Sequence, residues 1–395
     1  MRYKPWILVT IATISIIFSV VFITGCVTNG TNNASNDSKT VITLTDLADR
    51  TVTIQGPIKS IVMADPDAFN AYAAVAGPTF LNKLVGITSA LKANNPDIYS
   101  AYEKKYPEIS NISEVGDVEQ STFSTEKVIQ LKPDVLILPL WSQTMNLAPD
   151  IGVLEKAGIN VVFVDFYLNQ YDGVSYEKSI AILGKLLGNE DRAEQINSFY
   201  DAQIKAVNDT LEKINKPMPN VYIEFPGNGP DQFGFTMAHL GMSLPIDFAR
   251  AHNIAIGSCE SWGTISPEYF FKSDPDVVVF CMVPGLLPDS GGSAFGFGAH
   301  PSDADKKKIV ADYLNRTGWS SVKAVKNGNV DFYYSGLGYS LDNYVVLQYM
   351  AKWFYPTEFA NLDPEKNMQT FYSRFMPIPL DGTWYFSSGE VSGTR

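Results

Sequence analysis

A short motif that occurs twice, about 140 residues apart, constrains the fold of this chain more than any other feature of its sequence. The first copy runs from Ser124-Thr125-Glu126 to Pro133-Asp134, and the second runs from Ser266-Pro267-Glu268 to Pro275-Asp276; each is followed by an apolar run rich in β-branched residues. The serine is placed to cap a short helix, the glutamate lies in its first turn, and the Pro-Asp step ends it before a buried strand. The repeat predicts two similar α/β lobes, and the alternative is a coincidental match.

Strands and helices are predicted to alternate along both halves of the chain. An opening hairpin is expected over residues 41–44 and 51–54. Further strands are predicted at 59–63, 84–88, 135–138, 161–164, 220–225, 277–280 and 330–332, and helices at 68–76, 125–131, 151–157, 176–187, 243–251, 267–272, 303–314, 342–353 and 364–375. The tail beyond residue 375 reads as irregular. Alternation of this kind predicts parallel sheets covered on both faces.

A long amphipathic helix is predicted between the two halves. Apolar residues recur every three or four positions from 190 to 214, which gives one continuous stripe on a rod of roughly 37 Å. We therefore predict an α/β fold of two Rossmann-like lobes, joined by one long connecting α-helix, with a ligand cleft between the lobes. The N-terminal lobe would span 41–173, the connecting helical segment 174–217 and the C-terminal lobe 218–395. The alternative is an ordinary surface helix within one large domain.

The first forty residues have the composition of an export signal and a tether. Arg2 and Lys4 precede an apolar stretch from residue 6 to 23, and Ile23-Thr24-Gly25-Cys26 resembles a lipobox, in which the cysteine becomes lipidated. Residues 1–26 are therefore predicted to be a lipoprotein signal peptide and 27–40 a flexible linker rich in Asn, Ser and Thr. The alternative is an uncleaved transmembrane anchor. In either case the rest of the chain lies outside the cytoplasm, anchored to the outer face of the cytoplasmic membrane.

The amino-acid composition of the chain limits the kinds of molecule that it can bind. The formal net charge is −12 and no segment concentrates Lys and Arg, so a nucleic-acid partner is excluded. The 395 residues, 45% of them apolar, are enough for two domains with buried cores. Cys259 and Cys281, which are the cysteines that remain after Cys26, could form a disulfide in an oxidising compartment or stay as buried thiols, and the sequence leaves both open.

Several segments in a fixed order resemble the substrate-binding lipoproteins of ABC importers for iron chelates and vitamin B12, from about residue 41 to about residue 375. The residues that carry the likeness are Thr45-Asp46 with Arg50-Thr51-Val52, Lys59-Ser60-Ile61-Val62, the segment 319–330 and the segment 348–353, together with the lipobox and the doubled motif. The resemblance implies the helical-backbone (class III) fold and a monomer without cofactor. It also implies delivery to an ABC permease dimer with its ATPase. In that family one exposed glutamate on each lobe docks onto permease arginines, and by position these are Glu126 and Glu268. The plainer alternative is that each glutamate only complements its helix N-terminus.

A ligand in such a fold is expected at the carboxyl ends of the strands. The loops there are predicted to be 64–70, 116–123, 139–145 and 165–172 in the first lobe, and 225–235, 258–264, 282–300 and 333–343 in the second. These loops are rich in aromatic residues and glycine and contain no Lys or Arg. The candidate ligand-binding residues are Asp65, Trp141, Tyr167, Phe233, Trp262 and Tyr334. Each could equally be a core residue, and Asp65 an ordinary capping residue.

The absence of basic residues favours a bulky, weakly charged metal complex over an anion. We therefore expect an iron chelate or a corrinoid as cargo. Molybdate or tungstate is the alternative, since Gly227, Gly229, Gly234, Gly291 and Gly292 could offer backbone donors. No bare metal site is predicted, because His239, His252 and His300 lie in separate segments. No catalytic motif is present, so an enzyme is not expected. The rival from another class is a surface chelate-modifying enzyme or sensor. The ligand itself, haem included, is not fixed by the sequence.

Overall fold

The computed structural model describes residues 41–167, 174–227, 229–259, 261–283 and 293–393. The predicted signal peptide with Cys26 and the predicted linker lie outside these ranges, as do Gly291 and Gly292, and those assignments stay predictions. No helix within the described ranges combines the length and the apolar character needed to cross a bilayer.

The first lobe is built on a five-stranded parallel sheet with strand order β5-β4-β3-β6-β7. A separate antiparallel hairpin, β1 with β2, opens the lobe as predicted. The strands are β1 (Val41–Thr45), β2 (Thr51–Gln55), β3 (Ile61–Met63), β4 (Leu84–Ile87), β5 (Ser113–Glu114), β6 (Val135–Pro139) and β7 (Asn160–Val164). The helices are α1 (Phe69–Ala76), α2 (Ala90–Asn94), α3 (Pro96–Lys105), α4 (Thr125–Leu131), α5 (Leu140–Thr144) and α6 (Ile151–Lys156).

Two helices follow the first lobe and pack against each other: α7 (Ser175–Leu187) and α8 (Glu190–Leu211). The longer one, α8, has 22 residues and therefore extends about 33 Å. It ends three residues before the predicted residue 214. Its side chains reach both lobes, since Arg192 donates to Ala74 O in the first lobe (2.6 Å) and to Phe375 O in the second (2.9 Å).

The second lobe repeats the plan with a mixed sheet of order β10-β8-β12-β14-β16, in which only β16 runs antiparallel to its neighbour. The strands are β8 (Asn220–Glu224), β9 (Thr236–Met237), β10 (His252–Asn253), β11 (Trp262–Gly263), β12 (Val277–Met282), β13 (Gly296–Phe297), β14 (Val330–Tyr334), β15 (Gly382–Thr383) and β16 (Tyr385–Ser387). The helices are α9 (Leu244–Phe248), α10 (Pro267–Ser273), α11 (Asp303–Leu314), α12 (Lys323–Lys326), α13 (Tyr344–Phe354), α14 (Pro364–Phe375) and α15 (Ser388–Ser392). The predicted α/β class with two sheets is confirmed.

The doubled motif forms the same local structure in both lobes. Ser124 Oγ accepts the N–H of Lys127 at the start of α4, and Ser266 Oγ accepts the N–H of Tyr269 at the start of α10, each at 3.2 Å. Both helices are seven residues long and end on a left-handed residue just before the Pro-Asp step. Local capping therefore determines both helices.

The aspartate of each Pro-Asp step ties the motif to the neighbouring strand. Asp134 Oδ2 accepts the N–H of Ser60 (2.9 Å) ahead of β3, and Asp276 Oδ2 accepts the N–H of Asn220 (2.9 Å) at the start of β8. These bonds satisfy backbone donors at the amino ends of the strands. They place β6 beside β3 and β12 beside β8, so the two lobes have equivalent inner strands.

Several short elements were not predicted, and two segments show why. The tail beyond residue 375, predicted to be irregular, supplies β16, which pairs with β14 and carries the buried ring of Phe386. Helix α3, for which no prediction was made, begins with Pro96 at its first position. In both cases a tertiary contact, either strand pairing or packing against the other lobe, stabilises a segment whose own pattern is weak.

Candidate functional site

A cavity of about 420 Å³ lies at the carboxyl ends of strands of both sheets. All five strands of the first sheet contribute through the segments that follow them. Those segments supply Asp67 after β3, Asn95 after β4, Glu119 after β5, Trp141 after β6 and Tyr167 after β7. In parallel α/β sheets the strand ends leave a crevice where ligands bind, so this location is the expected one.

The second lobe closes the cavity with residues that follow β12 and β14. Val283 comes after β12, and Tyr334 at the end of β14 is followed by further lining residues up to Asp342. Tyr372 of α14 and Trp384, just before β16, complete this side. The last two residues were missed by the sequence reasoning, because α14 and the tail are brought to the cavity only by the packing of the second lobe.

Two hydrogen bonds to Asp97 and one pair of stacked rings join the lobes across the cavity. Asp97 at the start of α3 accepts the Tyr334 hydroxyl at Oδ1 (3.0 Å) and the N–H of Phe297 at Oδ2 (2.9 Å). The rings of Tyr167 and Tyr339 stack with centroids 5.0 Å apart and planes 17° apart. Gly296 is needed beside Asp97, because a Cβ there would lie 2.3 Å from Asp97 Oδ2. The α3 segment is therefore part of the site as well as of the lobe interface.

The charged residues that line the cavity are acidic. Asp67, Glu119 and Asp342 are present, and no Lys, Arg or His is found among the lining residues within the described ranges. Burial raises the pKa of Asp67 well above its usual range, and repulsion from Asp65, Glu119 and Asp165 adds to the effect. Burial also raises the pKa of Asp342. The described lining thus contributes three carboxyl groups, of which Glu119 is exposed and Asp67 and Asp342 have raised pKa values, and no basic group that would neutralise them.

Asp65, a predicted ligand-binding residue, lies behind the cavity wall and is not one of its lining residues. Its side chain is fully buried, and Oδ1 accepts the N–H groups of Asp67 (2.9 Å) and Ala68 (3.2 Å), which fixes the turn into α1. Oδ2 has no hydrogen-bond partner in the described part of the chain. Burial raises its pKa to about 7, with a smaller contribution from Asp165. In this structure Asp65 shapes the turn that presents Asp67.

Three of the five predicted aromatic residues, Trp141, Tyr167 and Tyr334, line the cavity. The other two do not, because the loops after β8 and β10 point away from it. Phe233 packs against Phe270 (centroids 5.1 Å apart) in a cluster held by Arg316, while Trp262 is 62% exposed and contacts Phe235.

Arg316 explains where the loop after β8 goes. It pairs with the fully buried Glu224 at the end of β8 (2.8 Å for each of two bonds) and its Nε donates to Pro230 O within the loop. Two of the three predicted glycine donors of this loop are used internally, since the N–H groups of Gly227 and Gly229 bond to Phe225 O and Pro226 O. The loop after β8 therefore bonds within the second lobe and does not line the cavity.

The two predicted docking glutamates, Glu126 and Glu268, are exposed in the first turns of α4 and α10. They are equivalent in local structure, since each follows a serine cap and precedes a buried strand of its own sheet. Neither pairs with a basic residue in the described ion pairs. Their arrangement is compatible with docking and with simple helix capping alike.

The histidines and the remaining cysteines lie apart from the cavity lining. His239 contacts Asp247 and His300 contacts Asp381, each at 3.0 Å and at the surface. Cys259 and Cys281 are both free thiols in this structure. Over the described ranges, no group of three or more His, Cys, Asp or Glu side chains has an arrangement that could hold a metal ion.

Comparison with known proteins identifies the family. A sequence profile described as "Periplasmic binding protein" matches residues 75–335, which is about two thirds of the chain. The chain belongs to the periplasmic binding protein family. As a member of this family, it is a solute-binding protein of an ABC transporter that works outside the cytoplasm.

Individual relatives agree with this periplasmic binding protein assignment. The ABC transporter substrate-binding lipoprotein YvrC of Bacillus subtilis is 26% identical over 339 residues, which cover 80% of this chain and 87% of YvrC. The molybdate-binding protein MolA of Haemophilus influenzae is 22% identical over 84% of this chain and 90% of MolA. The crystal structure of the TroA-like periplasmic binding protein FepB from Veillonella parvula superposes with a TM-score of 0.81 at 30% identity, covering 88% of this chain and 99% of that one. All three are named as binding proteins, which supports a binding role over catalysis.

Proposed function

We propose that this periplasmic binding protein captures a compact metal complex, such as an iron chelate, in the cavity between its lobes and delivers it to an ABC permease. The observation that carries the proposal is the cavity at the strand ends, which is lined by aromatic residues from both lobes and by no described basic residue. Its volume of about 420 Å³ falls within the range of roughly 300–1,000 Å³ typical of sites for drug-sized ligands. A corrinoid is much larger and would remain mostly outside the described cavity.

An oxyanion such as molybdate is the second candidate, because the relative MolA is named as a molybdate-binding protein. The cavity's chemistry opposes it. Buried oxyanions need fixed positive charge or several backbone donors, whereas the described lining offers the carboxylates of Asp67, Glu119 and Asp342. Calorimetric titration with molybdate and with ferric chelates separates the two. Tighter binding of molybdate would reject the metal-complex proposal.

Delivery would use Glu126 and Glu268 as docking points for basic pockets on a dimeric permease. This docking role is supported by the exposed, equivalent positions of the two glutamates in the first turns of α4 and α10. Exposed ion pairs contribute only about 0–1 kcal/mol each, so the two residues would set orientation and encounter rate more than affinity.

The docking test is the double variant Glu126→Lys/Glu268→Lys. It should abolish import in cells and leave ligand affinity in solution unchanged, since neither residue lines the cavity. Glu108→Lys/Glu212→Lys, at two other exposed positions, is the matched control for the change in net charge. Equal loss of import in both double variants, or loss of ligand affinity in the first, would contradict the docking role.

Membrane attachment would come from lipidation of Cys26, which is supported by the lipobox-like sequence before it and by the lipoprotein name of YvrC. Cys26→Ser should release the protein from the membrane fraction and prevent labelling by a fatty-acid analogue. Continued membrane association of this variant would indicate an uncleaved transmembrane anchor instead.

A further inference from the structure

Both lobes contribute carboxyl groups to the lining of the cavity. Asp67 and Glu119 reach it from the first lobe and Asp342 from the second, and no basic side chain balances them among the described lining residues. A cleft lined by one sign of charge focuses its field and raises the local concentration of ions of the opposite sign. At a pH where these carboxyl groups are ionised, a solute that enters therefore passes into a negative potential.

The hydrogen bonding of Asp342, the carboxylate from the second lobe, adds a further observation. Its side chain is only 2% exposed, and while Oδ1 accepts the Ser340 hydroxyl, Oδ2 makes no hydrogen bond within the described ranges. The Tyr372 hydroxyl lies near the carboxylate and favours its charged form, but burial has the larger effect and raises its pKa. A buried carboxylate whose hydrogen bonds do not offset its desolvation is costly in the empty protein. A ligand that brings positive charge or a donor removes that cost.

The aromatic residues that line the cavity also favour a positively charged ligand. Trp141, Tyr167 and Tyr339 line the cavity together with the carboxylates, and the face of an aromatic ring attracts a cation within about 6 Å. The stacked pair of Tyr167 and Tyr339 spans the two lobes. Carboxylates and aromatic faces thus act on the same sign of charge.

From these observations we propose that the solute bound in this cavity carries a net positive charge, as a cationic metal complex does. The proposal rests on the proposed function, because it names the charge class of solute for the same cavity. An anionic chelate would be repelled by Asp67, Glu119 and Asp342 and would find no described basic side chain to replace its hydration.

Binding of a cation is also coupled to the release of protons. The raised pKa of Asp67 keeps part of its population protonated, and a nearby cation favours the charged form, so binding releases protons. The titratable groups that interact with Asp67 are Asp65, Glu119, Asp165, Tyr167 and Tyr339. The affinity for a cation should therefore rise as the pH increases, until Asp67 is ionised in the ligand-free protein.

Two inert complexes of opposite charge test the proposal on the full folded chain. Hexaamminecobalt(III) and hexacyanocobaltate(III) are both compact and octahedral, with charges of plus three and minus three. Isothermal titration at pH 8 should show binding of the cation and none of the anion. Titration in buffers of different ionisation enthalpy should show protons released as the cation binds. Absence of cation binding, or tighter binding of the anion, would overturn the proposal.

Conservative variants show whether the cavity carboxylates cause the selectivity. Asp67→Asn and Glu119→Gln should each weaken binding of the cation by about tenfold or more, and Glu108→Gln, a surface variant away from the cavity, should not. The first two relieve like-charge repulsion, so their unfolding midpoints should not fall below that of the wild type. Affinity for the cation equal to the wild type in both cavity variants would overturn the proposal.

Failure of this inference is distinguishable from failure of the proposed function. An anionic or neutral chelate could bind to the wild type, lose affinity in the Trp141→Ala variant, and still require Glu126 and Glu268 for import. In that case the solute-binding function stands and the proposed positive charge of the solute is wrong. If no chelate of any charge depends on Trp141, the assignment of the cavity itself fails.

Discussion

Replacement of Asp65 by Asn should remove a pH-dependent penalty from the folded protein. Asp65 is fully buried with Oδ2 unpartnered among the described residues, and burial raises its pKa from 3.8 to about 7. An aspartate with a raised pKa contributes stability that is fully present below about pH 4 and is lost as the pH rises through 7. At 1.36 kcal/mol per pKa unit the whole effect is on the order of 4 kcal/mol. Between pH 5 and pH 8 roughly 3 kcal/mol of it is lost.

The Asn side chain keeps the part of Asp65 that shapes the turn. Its Oδ1 can still accept the N–H groups of Asp67 and Ala68, while the amide in place of Oδ2 carries no charge to desolvate. In urea unfolding from pH 5 to pH 8, the free energy of unfolding of Asp65→Asn should therefore increase relative to that of the wild type as the pH rises. The variant should gain roughly 3 kcal/mol in unfolding free energy relative to the wild type between pH 5 and pH 8, and the two proteins should be close in stability only below about pH 4.

The control is Asp49→Asn, an exposed aspartate in a left-handed turn that Asn adopts readily. It should follow the wild type at every pH. Parallel stability curves for Asp65→Asn and the wild type would refute the reasoning, because they would mean that the carboxyl group titrates at its unfolded value. A variant less stable than the wild type at pH 8 would refute it as well.

Three further predictions concern other contacts. Arg316→Met should lower the free energy of unfolding by about 3–5 kcal/mol, because it leaves the fully buried Glu224 unpaired; adding Glu224→Gln should recover much of the loss in urea unfolding. Asp97→Ala, which removes two bonds across the cavity, should speed dissociation of the hexaamminecobalt(III) probe about tenfold in stopped-flow measurements. Trp141→Ala should weaken binding of the same probe in calorimetry, whereas Trp262→Ala should not. An unchanged dissociation rate for Asp97→Ala, or equal losses in the two tryptophan variants, would contradict the site described here.

Elements specified by local signals were predictable almost to the residue. Helices α4, α11 and α14 begin and end at the predicted residues, and the side chains of Ser124, Ser302 and Asp363 each accept a backbone N–H in the first turn. Strands β6 and β12 followed from apolar runs rich in β-branched residues after a Pro-Asp step. Such signals act within a few residues, so they need no knowledge of the rest of the fold.

The candidate site was only partly predictable. The sequence indicated six of the loops that line the cavity, and among the aromatic residues it correctly selected Trp141, Tyr167 and Tyr334. It also selected Phe233 and Trp262, whose loops follow β8 and β10 and turn away. Nothing in the local sequence around these five residues says which part of the sheet faces the other lobe, so the selection had to be incomplete.

The sequence by itself determined the α/β class, the doubled helix–strand motif and a set of loops without Lys or Arg, since these depend on residue type and short spacing. Only the tertiary structure decided that α3, Tyr372 and Trp384 belong to the cavity, that β16 completes the second sheet, and that Asp67, Glu119 and Asp342 face one space. The physical reason is that strand order and lobe packing join residues up to about 300 positions apart, and contacts between such distant residues leave no pattern in either segment alone.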